Sequence, residues 1–343
     1  MSTSLSRITT VRPATREEWD GMWSNSPAAT FFHSRAWADV WNAYSEGAFR
    51  PHPLWVQFSD GHEALLPLSY RRRFCGLVSE YHSSPAATYG GWLASTELTA
   101  FHARLLLEWV KATNESLYWR VNPFDTTAAS LAAEATHSDV TNALDLWAGF
   151  EAIRANFSKG HRSAVQHAIR AGVTVAAATS NSEWDAYYSV YEDSLRRWGT
   201  HATSRYKRSL FRKLRERCNG NVVLWLARHE GQVVAGALGL YAKSHVSYWH
   251  SAVLESPRHL RPATLLIYEM IRHAVEHGYR WFDFNPSGGH EGVQKFKARF
   301  GTVPLSCPMI LHQTPVNRAF QQLALFRSFV MNGRGRFAFA GRR

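Results

Sequence analysis

The sequence predicts an α+β protein built from two similar domains in tandem. Three observations carry that prediction. At 343 residues the chain exceeds the usual size of one domain. Four short segments of its first half recur, in the same order, in its second half. Each half also runs strand, strand, helix, strand, an order that gives an antiparallel meander and a helix returning to a parallel strand, not an alternating βαβ sheet. With 45% hydrophobic residues and 14 Trp, the chain has apolar material for two cores.

The repeat can be followed element by element. Thr15 precedes Glu18-Trp19-Asp20, a helix N-cap with an acid three residues on, and Ser182 precedes Asp185 at the same spacing in Glu183-Trp184-Asp185. Strand pairs with polar turns follow, LWVQFSDGHEALLPL from Leu54 and VLWLARHEGQVVAGALGL from Val223, setting Trp55 and Trp225 at one place. Next come amphipathic helices, FHARLLLEWVKAT from Phe101 and ATLLIYEMIRHAVEHG from Ala263, the second closed by Gly278 as a C-cap. Each half ends in a strand that runs into Asn-Pro, LYWRVNPF from Leu117 and RWFDFNPS from Arg280. The offsets lie between 163 (Asn122 to Asn285) and 170 (Trp55 to Trp225). The join falls near residues 148 to 160, giving domains over 1–150 and 151–312 and a basic amphipathic tail over 313–343.

Charge narrows the partners. The net charge is +12, and it is concentrated. Arg196 to Arg217 holds nine Lys or Arg against one acid, Glu216, and Gly292 to the C-terminus holds nine more with none. In the first run Leu210, Phe211 and Leu214 form a docking stripe, so the other helix faces project cations toward a polyanion. No G-x-G-x-x-G opens a helix after a first strand and there is no Walker A motif, which leaves nucleotide cofactors without support. No G-x-S-x-G occurs, so a covalent nucleophile is not expected. His273 to His277 reads H-x-x-E-H, but after Glu291 no acid remains to serve as third ligand, and a zinc peptidase is rejected; no metal ligand is expected. Cys75, Cys218 and Cys307 are odd in number and far apart, and neither an apolar leader nor ~20 consecutive apolar residues occur, so a soluble cytoplasmic protein is the expectation.

Three segments then point to a family: ATFFHSRAW (Ala29 to Trp37), FSKGHRSAVQHAIRAGVTV (Phe157 to Val175) and PSGGHEGVQKFKARFG (Pro286 to Gly301). With the tandem pattern they resemble the FemAB-like family, the Fem and FemX peptidyltransferases, which carry two GNAT-type acyltransferase domains in one chain. The resemblance implies two tandem GNAT-like domains with the acyl-CoA N-acyltransferase fold, and acyl transfer to nitrogen. Fem-type enzymes take an aminoacyl group from aminoacyl-tRNA and give it to an amine, commonly on a peptidoglycan precursor; other GNAT proteins take the acyl group from acyl-CoA. Either donor would be a co-substrate, with no tightly bound cofactor.

The same resemblance assigns residues. The Phe-Lys pair associated with the Fem-type reaction centre is Phe296-Lys297 here, which implies that Lys297 stabilises developing negative charge. Ser287, Gly288, Gly289 and His290 would turn the backbone around the substrate, with Lys295 and Arg299 beside it. Val293, Phe296 and Phe300 fall at i, i+3 and i+7, predicting a buried stripe with Lys295, Lys297 and Arg299 toward solvent or ligand. Lys159, His161 and Arg162 open a helix and suit a phosphate of an anionic acceptor. Trp37, Trp198, Tyr248 and His250 are candidates to line the cleft.

The donor site departs from the usual GNAT pattern. Acyl-CoA enzymes of this fold carry Q/R-x-x-G-x-G/A before the helix that receives the pyrophosphate, whereas this chain reads RHLRPA, Arg258 to Ala263, where Pro262 has no amide to donate. Phosphate contact would then fall to side chains, Arg258 and Arg261 with Arg205, Lys207 and Arg208 of the basic run. Two other readings stay open: an acyl-CoA-dependent N-acyltransferase acting on an amino sugar in polysaccharide assembly, and a non-catalytic RNA or polyanion binder. The tail, with its arginines, suits peripheral contact with an anionic membrane surface.

Overall fold

The computed structural model describes residues 6–320 and 322, apart from 74, 75, 114, 203, 204 and 219. The first half runs β1 (Ile8–Pro13), α1 (Arg16–Asn25), α2 (Arg35–Tyr44), β2 (Phe49–Phe58), β3 (Glu63–Arg73), β4 (Val78–His82), α3 (Ala100–Lys111) and β5 (Ser116–Arg120). After β6 (Val140–Asp145), α4 (Phe150–Ala155) and α5 (Lys159–Arg170), the same series returns. It comprises β7 (Thr174–Ala177), α6 (Asn181–Trp198), α7 (Arg208–Arg217), β8 (Val222–His229), β9 (Gln232–Ala242), β10 (His245–Val253), α8 (Pro262–Glu276) and β11 (Trp281–Asp283). The chain closes with α9 (Glu291–Ala298), β12 (Val303–Ser306) and β13 (Met309–His312).

The matching elements begin for matching reasons. Thr15 caps α1 in a reciprocal box with Glu18, and Trp19 is buried beneath it. The second copy starts two residues earlier than the Ser182 expectation: Ser180 caps α6, and the Glu183 carboxylate takes the backbone N–H groups of Thr179 and Ser180. Glu183-Trp184 therefore sits in its helix as Glu18-Trp19 does, and the repeat is tighter than it reads. At the far end of α8, Gly278 has φ +73 and donates to Val275 O while Tyr279 N reaches Ala274 O, a Schellman stop. In both halves the last two strands run parallel, β4 beside β5 and β10 beside β11.

The sheets, however, exchange strands. The first has the order β1-β2-β3-β4-β5-β13 and the second β12-β6-β11-β10-β9-β8-β7. Thus β6, within residues 1–150, pairs with β11, and β13, within 151–312, pairs with β5. A cut between residues 150 and 151 does not separate the two sheets. Nothing in a four- to six-residue apolar strand states which sheet it joins. Most of the segment expected as a tail lies outside the described residues; its beginning docks, with buried Asn317 donating to Glu80 Oε1 of β4.

A second tie between the halves is ionic. Lys243, in the β9–β10 turn at φ +52, donates to Ser24 O at 2.8 Å and Ser26 O at 2.6 Å, carbonyls of the last turn and C-cap of α1, whose last turn has no basic residue of its own. Lys243→Asn tolerates the left-handed backbone and removes the ammonium. Urea unfolding is expected to show a loss of about 1 kcal/mol for so solvent-accessible a charged cap.

Candidate active site

The site opens where two parallel strands part. β10 pairs with β11 only from His245 to Ser247, yet continues along β9 to Val253, with an irregularity between Tyr248 and His250. β11 stops at Asp283, and Asn285 Nδ2 spans the parting by donating to Tyr248 O at 3.1 Å. A cleft of about 600 Å³ lies there. Its second-domain wall holds Tyr248, Trp249, His250, Phe284 to Gly288, His290 and Lys297, with Trp198 from the end of α6 and Tyr206 from the loop after it. The first domain contributes Ala86, Ala87, Thr88 and Arg120. Three of these residues are non-glycine positions at left-handed φ, Ala86 (+58), Ala87 (+52) and Asn285 (+58). Such conformations cost free energy and gather at functional clefts.

Lys297 lines this cleft, and it faces the opposite way from the periodicity reading. The inward positions of α9 and the turn after it are Lys297 and Phe300, while Val293 is 42% exposed. Short α9 is anchored by Phe300, which packs edge-on to Phe157 and His161, and this rotates Lys297 under the cleft floor. Its ammonium donates to Asn285 O at 2.6 Å. Burial lowers its pKa to about 8, against the opposing fields of Asp283 and Asp139.

Asp283 supplies the strongest of those fields. The carboxylate is fully buried, and Oδ1 accepts from Thr141 Oγ1 (2.6 Å), Asn285 N (3.1 Å) and Tyr89 OH (3.2 Å). Desolvation raises its pKa to about 6 despite these donors, so it is mostly ionised at neutral pH. Next to it Arg120 is held by Asp139 at 2.6 Å and donates to Ala87 O at 2.7 Å. Buried Cys307 accepts from Arg120 through its carbonyl at 3.4 Å, and burial pushes its thiol up to about 12, which keeps it from acting as a nucleophile. Ser287 Oγ is buried on the cleft wall with no protein partner. Tyr187 OH meets His250 Nδ1 at 2.6 Å, and the imidazole, desolvated under Tyr191 and Phe211, is lowered to about 3.

A second groove of about 530 Å³ lies on the other side of α9, lined by His161, His167, His259, Arg261, Phe296 and Arg299. Phe296 thus faces this groove while its neighbour Lys297 faces the cleft. Of the sequence candidates, Ser287, Gly288, His290, Tyr248, His250, Trp198 and Lys297 meet in the cleft, and His161, Arg261, Phe296 and Arg299 in the groove. Gly289 (φ +79) shapes the loop without lining either cavity. The rest lie outside both cavities. Trp37 is wholly buried, where it supports the cleft residue Trp249 edge-on at 5.1 Å. Lys295 pairs with Glu291 at 2.6 Å, and Arg258 with Glu255 at 3.2 Å. Arg162 donates to Ala155 O and Phe157 O, closing the chain before α5, and Lys159 stays exposed. Arg205 donates to Gly199 O. Arg208 pairs with Asp185 at 3.2 Å and covers Tyr188, and Arg212 also reaches Asp185. Lys207 ends as the N-cap of α7. The basic face of α7 is therefore partly neutralised by α6, which its own periodicity does not reveal.

Sequence reasoning missed Asp283, Arg120, Thr141, Tyr89 and Asn285. One signal was available: Arg120 and Asp283 are charged residues in otherwise apolar strands, both just before Asn-Pro.

Comparisons with known proteins bear on the fold. Residues 154–298 match the Acetyltransferase (GNAT) domain family. The crystal structure of FemX is similar over 92% of this chain and 99% of its own, at TM-score 0.67 and 14% identity. L-PGS from Bacillus licheniformis is similar over 92% and 97%, at 0.55 and 12%. The C-terminal domain (DUF2156) of an Agrobacterium fabrum protein assigned as a lysylphosphatidylglycerol synthetase is similar over 89% and 96%, at 0.54 and 12%. Among curated proteins none matches the sequence. The chain folds as a FemAB-like tandem of two GNAT-like domains, and its second domain is of the acyltransferase type.

Two outcomes test the centre. Lys297→Met is expected to fold and to lose activity several-hundred-fold, about 3 kcal/mol of transition-state stabilisation, measured as kcat. Since the ammonium form dominates below about pH 8, activity should fall as pH rises through that value. Asp283→Asn withdraws the carboxylate that raises the Lys297 pKa, so the alkaline limb should move to lower pH.

Proposed function

We propose that this tandem acyltransferase moves an aminoacyl group from aminoacyl-tRNA to an amine on an anionic acceptor bound in the interdomain cleft. The carrying observation is Lys297, a buried ammonium in a cleft that both domains build, with Arg120 across from it. The neutral amine attacks the ester carbonyl, and the ammonium stabilises the oxyanion that forms. Collapse of the tetrahedral intermediate makes the amide and releases the tRNA ribose hydroxyl, which takes up the proton the amine gives up. Ser287 Oγ and Arg120 orient the reacting groups.

The donor assignment rests on the start of α8. Pro262 has no N–H, and Thr264 N and Leu265 N both turn back to Arg261 O, at 3.1 and 3.4 Å. Few backbone amides remain to cradle a pyrophosphate in the manner of acyl-CoA enzymes. Arg261 and Arg299 offer side-chain cations to a phosphate chain instead, beside the imidazoles of His161 and His259. L-PGS and the protein assigned as a lysylphosphatidylglycerol synthetase share this fold. A tRNA donor places the reaction in the cytoplasm. Among the described residues no helix is long and apolar enough to cross a membrane. An acceptor on a cell-envelope precursor and contact between the tail and a membrane surface belong to the same reading.

Single-turnover assays with radiolabelled aminoacyl-tRNA and with acyl-CoA distinguish the donors. Transfer from acyl-CoA alone would replace the tRNA reading by amino-sugar N-acylation, and binding of tRNA without transfer would support the non-catalytic one. Neutralising Arg261 and Arg299 should flatten the dependence of log K for tRNA on log salt by about one unit per lost phosphate contact. Neutralising Arg208 and Arg212, already paired with Asp185, should change it less.

A further inference from the structure

Helix α5 presents a surface that the chemistry in the cleft does not use. Buried His161, Val165 and Ala168 form its inner face, and it packs on α8. Ser158 N donates to Arg299 O at 2.8 Å, which fixes the start of α5 to the end of α9. The outer face repeats at i, i+4, i+7 and i+11 as Lys159, Ser163, Gln166 and Arg170, all exposed, in a stripe about 16 Å long. No acid occurs in α5. Those of the flanking helices are already taken: Glu151 of α4 by Arg154, Glu291 of α9 by Lys295, and Glu269 and Glu276 of α8 by Arg272. Among the described residues no acid pairs with Lys159, Arg170, Arg261 or Arg299.

The stripe runs into the groove beside α9, because Gly160, Ser163 and His167 of the same helix line that groove together with Arg261 and Arg299. Half-buried Phe296 completes the wall, its ring held by His161 and Phe300 at centroid distances of 5.0 and 5.5 Å. We propose that α5 and the groove form one docking surface for an RNA strand. Backbone phosphates meet Lys159 and Arg170 along the stripe and Arg261 and Arg299 at the groove, and an unpaired base stacks on Phe296. Ser163 and Gln166 supply neutral hydrogen bonds to phosphate and ribose between the cations. Charge alone would equally suit an anionic membrane, but a helix lying on lipid needs an apolar face between its cations. The stripe has none, and Ile169, the exposed apolar residue of α5, is roughly a quarter turn away from it. That the RNA is a tRNA rests on the aminoacyl-transfer reading above; the surface itself requires no reaction.

Binding of uncharged tRNA to the full chain, measured against salt, tests the surface apart from the chemistry. Lys159→Gln combined with Arg170→Gln should weaken binding at least about tenfold near 0.1 M salt and flatten the slope of log K on log salt by about 1.5 units. Phe296→Leu should weaken binding of a single-stranded RNA oligonucleotide about tenfold and leave its salt slope unchanged. Arg208→Gln combined with Arg212→Gln removes the same charge from α7 and should move affinity and slope far less. If the α5 pair weakens tRNA binding and no aminoacyl transfer is found, the surface stands and the proposed reaction falls. If transfer from tRNA occurs and the α5 pair changes neither affinity nor slope, the reaction stands and the surface falls. Absence of RNA binding, or an equal loss in the α7 pair, also overturns it. So does binding to vesicles of equal parts phosphatidylglycerol and phosphatidylcholine that the α5 pair abolishes while RNA binding persists.

Discussion

The geometry of the cleft depends on one buried carboxylate. Asp283 ends β11, and its Oδ1 gathers a tyrosine from the first domain, a threonine from the exchanged strand β6 and the backbone of its own turn. A charge in that position is costly unless every donor is in place, so the domains have little freedom to slide past one another. The same charge, with Asp139, opposes the lowering of the Lys297 pKa by burial, and the lysine keeps its proton at neutral pH. Its Oδ2 is buried without a hydrogen-bond partner, so the three donors to Oδ1 carry all of its hydrogen bonding, and the junction and the Lys297 ammonium form one electrostatic unit.

The architecture was legible because the repeat is written in residues that have to be where they are. Capped helix starts, the Glu-Trp pairs, the Gly278 stop and the two Asn-Pro exits each answer a local backbone requirement, and local requirements can be read from sequence. The exchange of β6 and β13 answers a tertiary one. Both are short apolar strands that pair as well with one sheet as with the other, and only packing selects the partner.

The site was legible in part for a similar reason. A resemblance located Lys297 and its loop, but the helical phase was misjudged by the assumption that apolar residues face inward and a lysine outward. In an eight-residue helix, one anchor such as Phe300 sets the rotation. The basic run of α7 read as a free cationic face because its counter-charge, Asp185, lies on another helix. Long-range pairings of this kind have no period.

The exchanged strands also bear on how the molecule comes to exist. Met309 of β13 pairs with Arg120, its partner 189 positions earlier. During synthesis the first sheet must therefore wait, one edge open, until nearly all of the second has been made. Such a chain is slow to close and exposed to wrong pairings while it waits. Duplicated domains can usually be cut apart or shuffled by recombination, but here each half has lent the other a strand. The two copies have become a single inheritable and foldable unit.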